Sequence, residues 1–104
     1  MSDSIDGKRY EKVAEQEDAD AQHNLGLMYF HGQGVTQSYS EAVKWWRKAA
    51  DQGYAKSQFL LGFAYENGQG VDYNDPEAAY WYRLAADQGH ARAQQMLDEL
   101  AAGT

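Results

Sequence analysis

His23, His31 and His90 are the only side chains of this sequence whose ordinary pKa lies near neutrality, so any metal site or proton-transfer chemistry would first be sought among them. A helix that binds a metal usually brings two ligands onto one face at i and i+4; His23 and His31 are eight apart and His90 falls in a loop, so no metal site is expected. His31 is expected to end its helix, where a partly cationic ring suits the dipole. Gly32-x-Gly34 and Gly68-x-Gly70 look like half of a dinucleotide fingerprint, but they follow a helix and lack the third glycine. They read instead as turns needing positive φ, with Val35 and Val71 plugging the gap below, and no cofactor is expected. Asp72-Tyr73-Asn74-Asp75 opens like a calcium loop without its sixth-position glycine or closing glutamate, and reads as a helix cap. The chain has no cysteine, no Gly-x-Ser-x-Gly and no His-Glu-x-x-His. No catalytic residue and no enzymatic activity are expected.

What remains is recognition, and the elements that would carry it repeat. Residues 18–53 and 54–89 are identical at 18 of 36 aligned positions, without a gap. Leu25-Gly26 returns as Leu61-Gly62, Gly32-Gln33-Gly34-Val35 as Gly68-Gln69-Gly70-Val71, Trp45 as Trp81, and Ala49-Ala50-Asp51-Gln52-Gly53 as Ala85-Ala86-Asp87-Gln88-Gly89. A period of this size marks a solenoid, in which each unit hides its apolar face against its neighbours. The expected organisation is a single domain over 1–104: a leading half-repeat at 7–17, repeats at 18–53 and 54–89, and a terminal half-repeat at 90–101.

Each unit predicts two antiparallel helices. Ala21, Leu25 and Met28 share one face of a first helix, as do Ser57, Leu61, Ala64 and then Ala93, Leu97, Leu100. The second helix buries Ala42, Trp45, Trp46, Ala49 and, one period on, Ala78, Trp81, Tyr82, Ala85. Ser38-x-x-Glu41 and Asn74-x-x-Glu77 are capping-box patterns that start it near Tyr39 and Asp75, with Pro76 tolerated in the first turn. Gly53 and Gly89 end it in the left-handed conformation. Gly26 and Gly62 lie inside first helices, where glycine costs about 1 kcal/mol against alanine, and so predict a close neighbour. Asp98 takes the third equivalent place, and Arg9 stands where Trp45 would, beside Tyr10, Val13 and Ala14; both ends read as capped, so a complete short solenoid is expected.

A net charge of -7, from nine Lys and Arg against sixteen Asp and Glu, argues against nucleic acid or an anionic membrane as the main partner. No apolar run approaches the roughly 20 residues that span a bilayer, and Met1–Tyr10 lacks the apolar stretch of a secretory signal. A cytoplasmic monomer is expected.

The pattern Ala-x-x-x-Leu-Gly-x-x-Tyr, Gly-x-Gly-Val, then Glu-Ala-x-x-Trp-x-Arg-x-Ala-Ala-Asp-Gln-Gly resembles the Sel1-like repeat, a relative of the tetratricopeptide repeat. The resemblance covers 18–89 in full and nearly the whole chain with its half-units. It implies an all-α, α/α superhelix whose first helices line a concave groove, and a role as an adaptor or scaffold. Many members are exported and clamp each repeat with paired cysteines, which this chain lacks. The carboxylate clamp of some tetratricopeptide domains is missing too: His23, Leu27, Phe59 and Phe63 stand where its pattern calls for Lys and Asn, and only Asn24 fits. Recognition of a chain terminus is not expected.

On the first helices, Asp20, His23, Leu27 and Phe30 point roughly opposite the Ala21/Leu25/Met28 stripe. Lys56, Phe59, Phe63 and Glu66 follow from the next unit, and Arg92, Gln95 and Glu99 from the last. Two readings fit them: an apolar strip with a charged rim that grips a partner's peptide segment or helix, or filling between neighbouring first helices. The leading expectation is an adaptor acting through this groove. The alternative is a small acidic inhibitor or immunity-type protein that masks a basic effector enzyme. A hydrolase finds no residues to support it.

Overall fold

The structure, a computed structural model, describes residues 11, 12, 14, 15 and 17–103. Among the described residues five helices follow one another: α1 (Ala19–His31), α2 (Tyr39–Asp51), α3 (Ala55–Asn67), α4 (Asp75–Asp87) and α5 (Ala91–Ala102). No strand occurs among the described residues. Each helix packs on the next, so α1–α2 and α3–α4 are antiparallel hairpins laid side by side and α5 covers the second. The result is the expected all-α solenoid, 48 × 23 × 17 Å. Tyr10 and Val13 of the expected leading helix lie outside the described residues, as does Arg9; Ala14, in the same register, is fully buried.

The boundaries follow from local chemistry. Asp18, Ser38 and Asn74 cap α1, α2 and α4 by accepting from the backbone N–H three residues on. The capping box is only half made. The N–H groups of Ser38 and Asn74 donate to the carbonyls of Tyr29 and Tyr65 at 2.9 Å, pinning each turn to the helix before it. The glutamate arm is therefore not needed, and Glu77 accepts from the Trp81 indole N–H at 3.3 Å instead. Gly32 and Gly68 close α1 and α3 with φ of 70° and 65°, and donate to Met28 and Ala64 carbonyls.

Within each hairpin a glycine receives a ring. A Cβ on Gly26 would stand 2.3 Å from the Trp46 indole nitrogen, and one on Gly62 would stand 2.7 Å from the Tyr82 ring. Trp46 and Tyr82 are almost wholly buried; hiding an aromatic of this size removes on the order of 200 Å² from water, about 5 kcal/mol by area. Between repeats an apolar cluster joins Trp46 and Ala50 to Leu61, Ala64 and Trp81, and side-chain amides add a polar ladder. Gln22 donates its amide to the Ala14 carbonyl at 3.0 Å and Gln58 donates to Ala50 at 3.2 Å. Gln52 and Gln88 close the ladder onto the Gln22 and Gln58 side-chain oxygens at 2.7 and 2.9 Å. Buried amides satisfied in this way fix the register of one hairpin on the next.

Candidate protein-interaction surface

The first helices α1, α3 and α5 set the surface, and two equivalent seams join them. In the first seam, His23 of α1 is 7% exposed, its Nδ1 lies 2.8 Å from Ser57 Oγ, and its ring lies 5.3 Å from Tyr54. Tyr54 in turn donates its hydroxyl to Asp20 at 2.5 Å. Burial lowers the His23 pKa below its ordinary value, Lys56 lowers it further, and Asp20 opposes. The bond to Asp20 raises the Tyr54 pKa, followed by burial. In the second seam the equivalents of His23, Ser57 and Tyr54 are Phe59, Ala93 and His90. Phe59 stacks on the His90 ring at 4.7 Å and 19°, over the buried Ala93, and meets Tyr82 at 5.7 Å. The same junction is thus built once from a hydrogen-bonded polar pair and once from an apolar pair.

The residues expected on one open strip therefore divide. His23 is not on the open face: its partner Ser57 comes from the neighbouring helix, and the ring is enclosed between the two. Phe59 is half-buried in the second seam. Leu27 and Phe30 are half-buried and pack against the cluster of Ala42, Val43, Trp46 and Leu61, with Phe30 4.9 Å from Tyr39 and 5.5 Å from Trp46. Phe63 is half-buried yet, among the described residues, packs against none of the three buried clusters. Asp20, Lys56, Arg92, Gln95 and Glu99 are exposed. Glu66 is half-buried and accepts from the Tyr82 hydroxyl at 2.7 Å. Burial first, then the Glu66 bond and the charges of Glu66, Asp75 and Glu99, push the Tyr82 pKa far up.

Sequence reasoning missed Tyr54 and His90 as members of the seams. Both precede a first helix at equivalent positions, and that equivalence was the available signal. Among the described residues no group of three His, Cys, Asp or Glu is placed to hold a metal ion, and no helix is long and apolar enough to cross a membrane.

Hairpins stacked edge to edge, with one row of helices presenting its side chains along a common face, define a helical-repeat protein. The chain belongs to the Sel1 repeat family, whose family model matches residues 19–54 and 55–90, a window displaced by one residue from the period read above. Sel1 repeat proteins generally mediate protein–protein interaction. Among solved structures, a Sel1 repeat protein from Oxalobacter formigenes is 36% identical, with a TM-score of 0.80 over 93% of this chain and 45% of its own. The protein c5321, a protective antigen present in uropathogenic Escherichia coli strains, is 40% identical with a TM-score of 0.84, over 88% of this chain and 20% of its own. The chain thus spans less than half the length of either. Helicobacter pylori cysteine rich protein B shares the fold at 23% identity and a TM-score of 0.82, over 88% of this chain and 68% of its own. No curated protein matches the sequence.

Proposed function

We propose that this chain is a non-catalytic adaptor module, a cytoplasmic monomer that holds a segment of another protein against the face formed by α1, α3 and α5. The observation that carries the reading is Phe63, a large apolar side chain on that face, partly open and outside every buried cluster. Leu27 and Phe30 extend the apolar surface on one side, and exposed charges of both signs border it, the composition of an interface centre with a polar rim. Phe63→Ser tests the reading better than a change at Phe59, because Phe59 also closes the second seam. The expected result is a fold that survives with a partial loss of stability, about 2–3 kcal/mol for a ring that is mostly buried, and loss of the proteins captured by wild-type bait. Identical captured sets for both baits would remove the support for this surface.

A further inference from the structure

We propose that the segment bound on this face is polarised: an apolar centre seated on Phe63, acidic residues toward the N-terminal ends of α3 and α5, and basic residues toward their C-terminal ends. The inference rests on the interaction-surface reading and adds the chemistry of the partner. Lys56 and Arg92 are the only Lys or Arg residues on the three first helices, in a chain of net charge -7. They occupy the same position one period apart, both are exposed, and each stands in the first turn of its helix, where the dipole adds positive potential. Among the described residues neither forms an ion pair. Asp20, the remaining member of this row, is engaged by the Tyr54 hydroxyl. At the other end, Glu66 and the exposed Glu99 stand in the last turns of α3 and α5, where the helix C-termini add negative potential, and Glu66 accepts from the Tyr82 hydroxyl at 2.7 Å. Glu66, Phe63 and Lys56 lie along one face of α3 at helical spacing, so the surface runs from cation through ring to anion over nearly three turns. A partner with the reverse order of charge gains at both rims; one with the same order is repelled at both.

The experiment uses the whole chain and a phage-displayed library of random 16-residue peptides, with melting of each variant checked beforehand. Peptides selected on the wild type are expected to share an apolar anchor flanked by acidic residues on one side and basic residues on the other. Their affinity should fall at least tenfold on Lys56→Glu/Arg92→Glu, recover when the peptide's acidic residues become lysine, and vanish on Phe63→Ser. Loss on Phe63→Ser with affinity within twofold on the charge-reversed variant would leave the surface standing and overturn the polarity. Peptides that bind Phe63→Ser as well as wild type, or a library that yields no binder, would overturn both.

Discussion

Filling the glycine notch of the first hairpin is the sharpest test of how these repeats hold together. Gly26→Ala places a methyl group 2.3 Å from the Trp46 indole nitrogen and 2.4 Å from Cδ1, with the Ala42 carbonyl at 3.1 Å behind, so the ring must move. That indole N–H donates to the His23 carbonyl at 3.3 Å, and displacing it strands a buried donor. Alanine returns about 1 kcal/mol of helix propensity. Against this stand about 2 kcal/mol of overpacking and about 2 kcal/mol for the unmade hydrogen bond. The expected net loss is about 3 kcal/mol, which for a domain of this size lowers Tm by roughly 12–24 °C. Gly62→Ala meets the Tyr82 ring at 2.7 Å, but the hydroxyl that bonds Glu66 is at the far end and keeps its partner. Its net loss is expected near 1 kcal/mol. Urea unfolding followed by far-UV circular dichroism and tryptophan fluorescence measures both. A Gly26→Ala protein as stable as wild type, or a Gly62→Ala protein that is the weaker of the two, would refute the packing argument.

Three further predictions concern the seams and turns. His23→Phe alone leaves the buried Ser57 hydroxyl without its partner and should cost about 1–3 kcal/mol; adding Ser57→Ala copies the Phe59–Ala93 junction and should restore about 1 kcal/mol or more, read as the coupling in a double-mutant cycle. Because burial holds the folded His23 pKa below its ordinary 6.5, the unfolded chain binds more protons as pH falls below that value. Stability should therefore be full above pH 6.5 and decline below it, and the His23→Phe/Ser57→Ala variant should lose that part of the slope in unfolding measured across pH. Gly70→Ala, at φ 77° with its Cβ 2.4 Å from the Tyr39 carbonyl oxygen, should cost about 3 kcal/mol or more, whereas Gly53→Ala, at φ 88° with open space around it, should cost about 1–2 kcal/mol by thermal melting.

The parts of this structure written in local chemistry were readable from the chain. Ser38 and Asn74 start helices at Tyr39 and Asp75 as their capping patterns require, and Gly53 and Gly89 take the expected positive φ. Gly26 and Gly62 meet the close neighbours that glycine inside a helix implies. The surface was less legible, for a physical reason. A first helix touches its hairpin partner on one side and the neighbouring first helices on another, so apolar residues surround α1 and α3, and a helical wheel cannot separate the seam from the open face. His23 illustrates this: its burial depends on Ser57, which lies a full repeat away in sequence. The distinction between Phe59 and Phe63, four residues apart on one helix, likewise depends on His90 arriving from the following loop.

The glycine notch has one more consequence. Gly26 and Gly62 are mortises cut for a ring, but the same place on α5 holds Asp98, exposed and accepting from the Gln94 amide at 2.9 Å. A hairpin partner laid on α5 as α2 lies on α1 would drive its tenon into a carboxylate. Lengthening the array by grafting should thus hinge on a single side chain: Asp98→Gly opens the joint, and a grafted helix bearing Trp or Tyr in register should lock only after that change.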